Sequence, residues 1–271
     1  MQGLHDFIPT AEKVRYLNAL LEVGFDSLDF GSFVSPKAIP QMRDTAEVLQ
    51  QLKLNHTDTK LLAIVANRRG ALSAASFPEV DVLGYPFSIS ETFQLRNTNA
   101  TILESLDRVK GIQEICLQHN KTLLIYISMG FGNPYGDHWE VEIVQKWVQE
   151  LVKLDITIFQ LSDTIGVAEP ANIEYLFKNL IPTNPDIEIG AHFHTTPDTW
   201  EEKVASAYEN GCRRFDGTIR GFGGCPMAQN KLVGNMPSEN LITFARERNI
   251  ETGLNLDSYF DAMKIAGQIL K

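Results

Sequence analysis

Two histidines, His192 and His194, flank Phe193 at the end of an apolar stretch that runs from Ile187 to Phe193. Side chains along a strand alternate between faces, so both imidazoles would share one face and Phe193 would take the other. Two imidazoles converging at a strand end could bind a divalent metal, or they could be hydrogen-bonded histidines with a structural role. Gly221-Phe222-Gly223-Gly224-Cys225-Pro226 is the second candidate. Three glycines let backbone approach a ligand, and a cysteine on such a loop can be accessible and reactive; the plain alternative is a surface turn with an incidental thiol. Asn235, after Gly234, offers an amide oxygen that a hard metal accepts, or it is an ordinary Gly-Asn turn.

Three further groups follow apolar stretches. Ser162-Asp163-Thr164 could orient hydroxyl or carbonyl groups of a substrate, or form a polar turn before the helix at Pro170. Ser32-Phe33-Val34-Ser35-Pro36-Lys37 carries a lysine that could meet an anionic ligand or be a solvated loop residue. Asp29 alternates with Gly31 and Phe33 on one face, while Leu28 and Phe30 take the other. An acid pointing into a barrel needs a cationic or hydrogen-bonding partner. Cys116 and Cys212 sit beside apolar or regular neighbours and read as packing residues.

These residues need a scaffold, and the sequence alternates short apolar strands with amphipathic helices. Strands are expected at Ser27–Phe33, Lys60–Ala66, Asp81–Phe87, Thr122–Ser128, Thr157–Leu161, Ile187–Phe193 and Arg213–Gly217. Helices are expected from Pro9-Thr10 to a stop at Gly24, over about Ala100–His119, around Val144–Leu151, and from Pro170. Another should follow a capping box made by Thr199 and Glu202, and two more finish the chain at about Ser238–Arg248 and Leu256–Leu270. Strict βα alternation means a parallel sheet covered by helices. No G-x-G-x-x-G follows an early strand, which weakens an open dinucleotide-binding sheet. The reactive residue types cluster after several different strand ends, which in a barrel all meet at one face. The expected fold is therefore α/β, a (β/α)8 TIM barrel in one domain spanning residues 1–271, with an extra C-terminal helix. Seven strands are visible where a barrel needs eight, and the deficit lies at the start.

Composition agrees with a globular enzyme. The chain has 271 residues, 44% of them hydrophobic and 21% charged, which excludes a disordered chain and a small disulfide scaffold. Its net charge of −10, with no basic stretch, argues against nucleic acid. No apolar run approaches the ~20 residues of a membrane span. Three cysteines are an odd number and suggest no disulfide framework, so a reduced, cytoplasmic compartment is expected.

Taken together, the motifs resemble those of the 3-hydroxy-3-methylglutaryl-CoA lyase family. The matching stretches are SFVSPKAIPQM at 32–42, SMGFGNPYGD at 128–137, SDTIGV at 162–167, HFH at 192–194 and GFGGCPMAQ at 221–229, followed by GN at 234–235. The resemblance implies a barrel with a divalent ion, Mg or Mn, bound by His192, His194 and Asn235. It implies catalytic roles for Cys225, His192 and the acid Asp29, and a substrate pocket that Asp163 lines; Thr164, Ser32 and Lys37 are further substrate-binding candidates. The implied reaction cleaves 3-hydroxy-3-methylglutaryl-CoA to acetyl-CoA and acetoacetate. An acyl-CoA is the expected partner, a homodimer is left open, and neither nucleic acid nor membrane is expected.

Two departures from the family pattern stand out. Thr195 follows H-x-H where the family commonly has aspartate. The family's Arg-Asp pair at the end of its first strand, which supplies another metal ligand, has no counterpart in the sequence and would align just before Met1. The expectation is that Met1 is an internal methionine and that the natural protein is longer by one strand. The alternatives are a related acyl-CoA condensing or carboxyl-transferring barrel, or an inactive relic.

Overall fold

The computed structural model describes Met1, Leu4 and residues 6–223 and 233–270. In chain order the elements are α1 (Thr10–Leu21), β1 (Ser27–Ser32), α2 (Thr45–Leu49), β2 (Lys60–Ile64), α3 (Arg68–Ala75), β3 (Val82–Ser88), α4 (Glu91–Thr98), α5 (Ile102–Gln118), β4 (Thr122–Ser128) and α6 (Val141–Val152). They continue with β5 (Ile158–Asp163), α7 (Pro170–Thr183), β6 (Glu188–Thr195), α8 (Trp200–Glu209), β7 (Gly234–Asn235), α9 (Ser238–Glu247) and α10 (Leu256–Ile269). The strands lie in the sheet in the order in which they occur in the sequence, β1 to β7, a curled α/β arrangement of the barrel kind.

Two compact units share these elements. The first holds residues 1–84, 115–122 and 249–271; the second holds 85–114 and 123–248. In the first, α1 buries Lys13, Tyr16, Leu17, Leu20 and Leu21, a stripe at the i, i+3, i+4, i+7 spacing that a one-sided helix requires. Gly24 then takes φ +81°, a left-handed conformation open to glycine at no steric cost. β1 pairs in parallel with β2, and β2 with the start of β3. A register shift between Asp29 and Gly31 leaves Phe30 as an extra residue, so the strict alternation expected for this strand breaks at Phe30.

In the second unit β4, β5 and β6 pair in parallel, whereas β7 runs antiparallel to β6. β7 meets β6 at His194 and Thr195, beyond the part of β6 that faces the seventh strand expected at Arg213–Gly217, which is bridged in parallel to Ala191. That segment makes one bridge, Phe215 with Ala191, and then leaves the sheet. The reason lies in the next residues: the Thr218 amide donates to Met236 and the Thr218 carbonyl accepts from Ser238, so its backbone groups are already occupied. The expected capping box also fails. The Thr199 hydroxyl accepts a hydrogen bond from the Thr196 amide instead of closing on Glu202, and α8 starts without a side-chain cap.

The second unit's loop after β4 is tied back onto α4. Ser90 caps α4 by accepting from the Phe93 amide at 3.2 Å. Asp137 then accepts from the Ser90 hydroxyl at 2.5 Å and from the Thr92 amide and hydroxyl at 2.9 Å each. A carboxylate at a helix N-terminus satisfies amides with no intrahelical partner and complements the helix dipole.

Candidate functional site

β6 carries Gly190, His192 and His194 at every second position, so the three share a face. Across the parallel register Gly190 stands beside Gln160 and His192 beside Ser162 of β5. On the other side, His194 is the register partner of Asn235 in β7. The two imidazole centroids lie 5.5 Å apart. His194 is buried, and burial, followed by the charges of His192 and Lys203, pushes its pKa down to about 3 against hydrogen bonds with the Asn235 side chain and the Thr164 backbone. His194 is thus a neutral imidazole at physiological pH, the form that ligates metals. The Asn235 amide nitrogen donates to the Phe222 carbonyl at 3.0 Å, which leaves its oxygen for the His194 side. His192 is half-buried, with Nδ1 3.0 Å from Asp216 Oδ2 and the Tyr126 ring edge-on at 5.5 Å.

Asp163 is placed differently from the pocket-lining role expected of it. Its side chain is fully enclosed. One carboxylate oxygen accepts from the Val167 and Ala168 amides at 2.7 and 3.1 Å, and the other accepts from Lys203 at 2.6 Å. Burial raises the Asp163 carboxyl pKa, and the adjacent ammonium opposes that rise. Lys203 also donates to the Gly166 and His194 carbonyls at 3.0 and 3.1 Å, so it ties the turn after β5 to the end of β6. The Thr164 hydroxyl accepts from the Met129 amide at 2.8 Å. The sequence carries no signal for Lys203, because a lysine in an amphipathic helix ordinarily reads as a solvated residue.

Ser32, Lys37 and Asp29 belong to the first unit. The Ser32 hydroxyl is buried and accepts from the Val34 amide, and Lys37 is exposed. Asp29 is exposed, whereas the sequence reading expected a buried acid. It precedes the irregularity at Phe30, and its face is not covered as those of Leu28 and Phe30 are. Cys225, with Gly224 and Pro226 of its loop, lies outside the described residues.

A family model described as HMGL-like matches residues 1–265. The chain belongs to the HMGL-like family. It is 31% identical over 258 residues to a hydroxymethylglutaryl-CoA lyase of Bacillus subtilis, covering 95% of this chain and 85% of that one. A Pseudomonas aeruginosa 3-hydroxy-3-isohexenylglutaryl-CoA/hydroxymethylglutaryl-CoA lyase is also 31% identical, with 94% and 84% covered. Among solved structures, an HMG-CoA lyase of Acinetobacter baumannii in complex with coenzyme A and 3-methylmalate superposes with a TM-score of 0.91 at 31% identity, covering 99% of this chain and 87% of that one. The carboxyl transferase domain of Rhizobium etli pyruvate carboxylase, at 15% identity and a TM-score of 0.69, shares the fold.

In this HMGL-like chain the donors around His194 suit a divalent ion. A neutral imidazole, a second imidazole on the same face and an amide oxygen across the register form a mixed nitrogen and oxygen set that a divalent ion can accept. Among the described residues no group of three or more His, Cys, Asp or Glu side chains is arranged to hold an ion, so the candidate set rests on two histidines and an asparagine.

Proposed function

We propose that the chain is a carbon–carbon lyase that cleaves 3-hydroxy-3-methylglutaryl-CoA to acetyl-CoA and acetoacetate. The observation that carries this reading is the pairing of His194 with Asn235 and His192 at one strand end, in a chain of the HMGL-like family. His192, His194 and Asn235 would hold a divalent ion, Mg or Mn, which would act as a Lewis acid toward the substrate's hydroxyl and carboxyl oxygens.

The reaction must break the bond between C2 and C3 of a tertiary alcohol. A base removes the C3 hydroxyl proton; the oxygen electron pair becomes the ketone of acetoacetate, and the C2–C3 pair leaves as the thioester enolate. A proton delivered to C2 completes acetyl-CoA. Cys225 is the proton donor we propose, because His192, holding the ion with its Nδ1 against Asp216, has no proton free to deliver. Asp163 serves by tying the end of β5 to the end of β6 through Lys203, and Thr164 by tying it to the end of β4 through Met129. The cytoplasm is the compartment we propose, on the odd cysteine count.

The deciding experiment incubates the protein with 3-hydroxy-3-methylglutaryl-CoA, with and without added Mg or Mn, and follows acetyl-CoA and acetoacetate. Acetoacetate formation that depends on His194 is the expected result. A parallel arm with the isohexenyl analogue tests the wider acyl chain named for the Pseudomonas relative. Condensation of acetyl-CoA with a keto acid instead would move the protein to the condensing enzymes, and no turnover in any arm would make it a relic.

A further inference from the structure

Gln160, Asp216 and His192 form a chain of hydrogen bonds behind the His192 ring. His192 Nδ1 lies 3.0 Å from Asp216 Oδ2, and Asp216 Oδ1 accepts from Gln160 Nε2 at 2.7 Å. An ionised carboxylate can only accept, so the proton in the first contact sits on Nδ1, and Nε2 is left with its lone pair. Gln160 itself is fully buried, and its Oε1 has no hydrogen-bond donor among the described residues. Leaving a buried amide oxygen unpaired is costly, so the Gln160 conformation is imposed by what its nitrogen holds. The backbone makes room for it. Gly190 is the register partner of Gln160, and a Cβ there would collide with Gln160 Oε1 and stand 2.9 Å from both the Cβ and the carbonyl oxygen of Arg214.

We propose that Asp216, held in place by Gln160 across the cleared position of Gly190, is a positioning residue that fixes His192 as its Nδ1–H tautomer and so presents Nε2 as the ligating nitrogen. The inference rests on the metal reading of the His192 and His194 pair for its purpose, but not for its geometry. Outer partners of this kind orient a ligating histidine and make it more basic, and their loss costs about 10- to 100-fold in metal affinity.

The test reads the tautomer directly. Metal-free, 15N-labelled protein at about pH 8, above the ordinary histidine range, is studied by long-range 1H–15N correlation, with His192 assigned from a His192→Asn variant. The wild type should show Nδ1–H at His192. Asp216→Ala should shift it toward the Nε2–H form, and Mn(II) binding followed by electron paramagnetic resonance should weaken by about 10- to 100-fold. Asp216→Asn, which keeps the shape, guards against a folding failure: its amide can donate to Nδ1, so it too should move the tautomer. Gln160→Leu should weaken Mn(II) binding by a smaller factor. An unchanged tautomer in the Asp216 variants overturns the inference. A wild type with the Nδ1–H form that binds no Mn(II) overturns the metal reading and leaves the positioning role standing.

Discussion

Lys203 and Asp163 form an ion pair of 2.6 Å with side chains 1% and 0% exposed. Every hydrogen of the Lys203 ammonium has an acceptor, so the pair is a fully satisfied buried joint between the turn after β5 and the end of β6. Breaking such a pair on one side leaves a buried charge without its partner. Lys203→Met should therefore cost about 3–5 kcal/mol of stability, read as a lower urea midpoint. The double variant Lys203→Met with Asp163→Leu should recover part of that loss. A Lys203→Met midpoint equal to wild type would show that the pair holds nothing together.

Gly190→Ala tests the space beneath His192. The added methyl meets Gln160 and the Arg214 backbone at distances no relaxed contact allows, and Gln160 cannot move without releasing Asp216. The expected loss is about 1–3 kcal/mol, the range for overpacking a close-packed site. Unfolding by urea checks it, and an unchanged midpoint would mean that β6 shifts freely.

Asp137 sets a pH-dependent term. Burial opposes its charge, but the hydrogen bonds from Ser90 and Thr92, with the nearby Arg96, outweigh burial and hold its carboxyl below the usual aspartate value. A carboxyl depressed in the folded state stabilises the protein above its unfolded pKa and loses that contribution as pH falls through the folded value. Asp137→Asn should thus cost about 1 kcal/mol near neutral pH, the ordinary size of a cap. The gap to wild type should close as pH drops below about 3.9. Thermal melts across that range measure it, and a gap that persists at low pH would assign the effect to packing.

The cysteines should separate by reactivity. Cys116 and Cys212 are buried, and burial pushes both thiols up to about 12, which leaves almost no thiolate at neutral pH. Iodoacetamide labelling of native protein, mapped by mass spectrometry, should find Cys225 first. Faster modification of Cys116 or Cys212 would contradict the burial argument.

His194→Ala should abolish Mn(II) binding, because it removes the neutral imidazole that stands against Asn235. Calorimetric titration of wild type and variant checks this, and equal affinity would move the ion elsewhere.

By itself, the sequence determined the alternation of strands and helices and the family. Period-two and period-3.6 patterns are local properties, and the motifs around His192, Asp163 and Gly221 are contiguous. It also placed His192 and His194 on one face, since that follows from strand geometry alone. What it could not contain were relationships between distant segments. Arg213–Gly217 has a strand's composition, yet its pairing with β6 stops at one parallel bridge because Thr218 is taken by Met236 and Ser238, and the two-residue strand at Gly234 pairs with the end of β6. Thr199 has a cap's spacing, yet its hydroxyl is claimed by Thr196. Asp163 reads as a residue facing substrate until a lysine 40 positions later closes over it. Asp216, 24 residues after His192, and Gln160, 56 before Asp216, meet only when β5 and β6 pair. Side-chain hydrogen bonds across such separations depend on register and on which backbone groups remain unpaired, and folding decides both after local propensity has been satisfied.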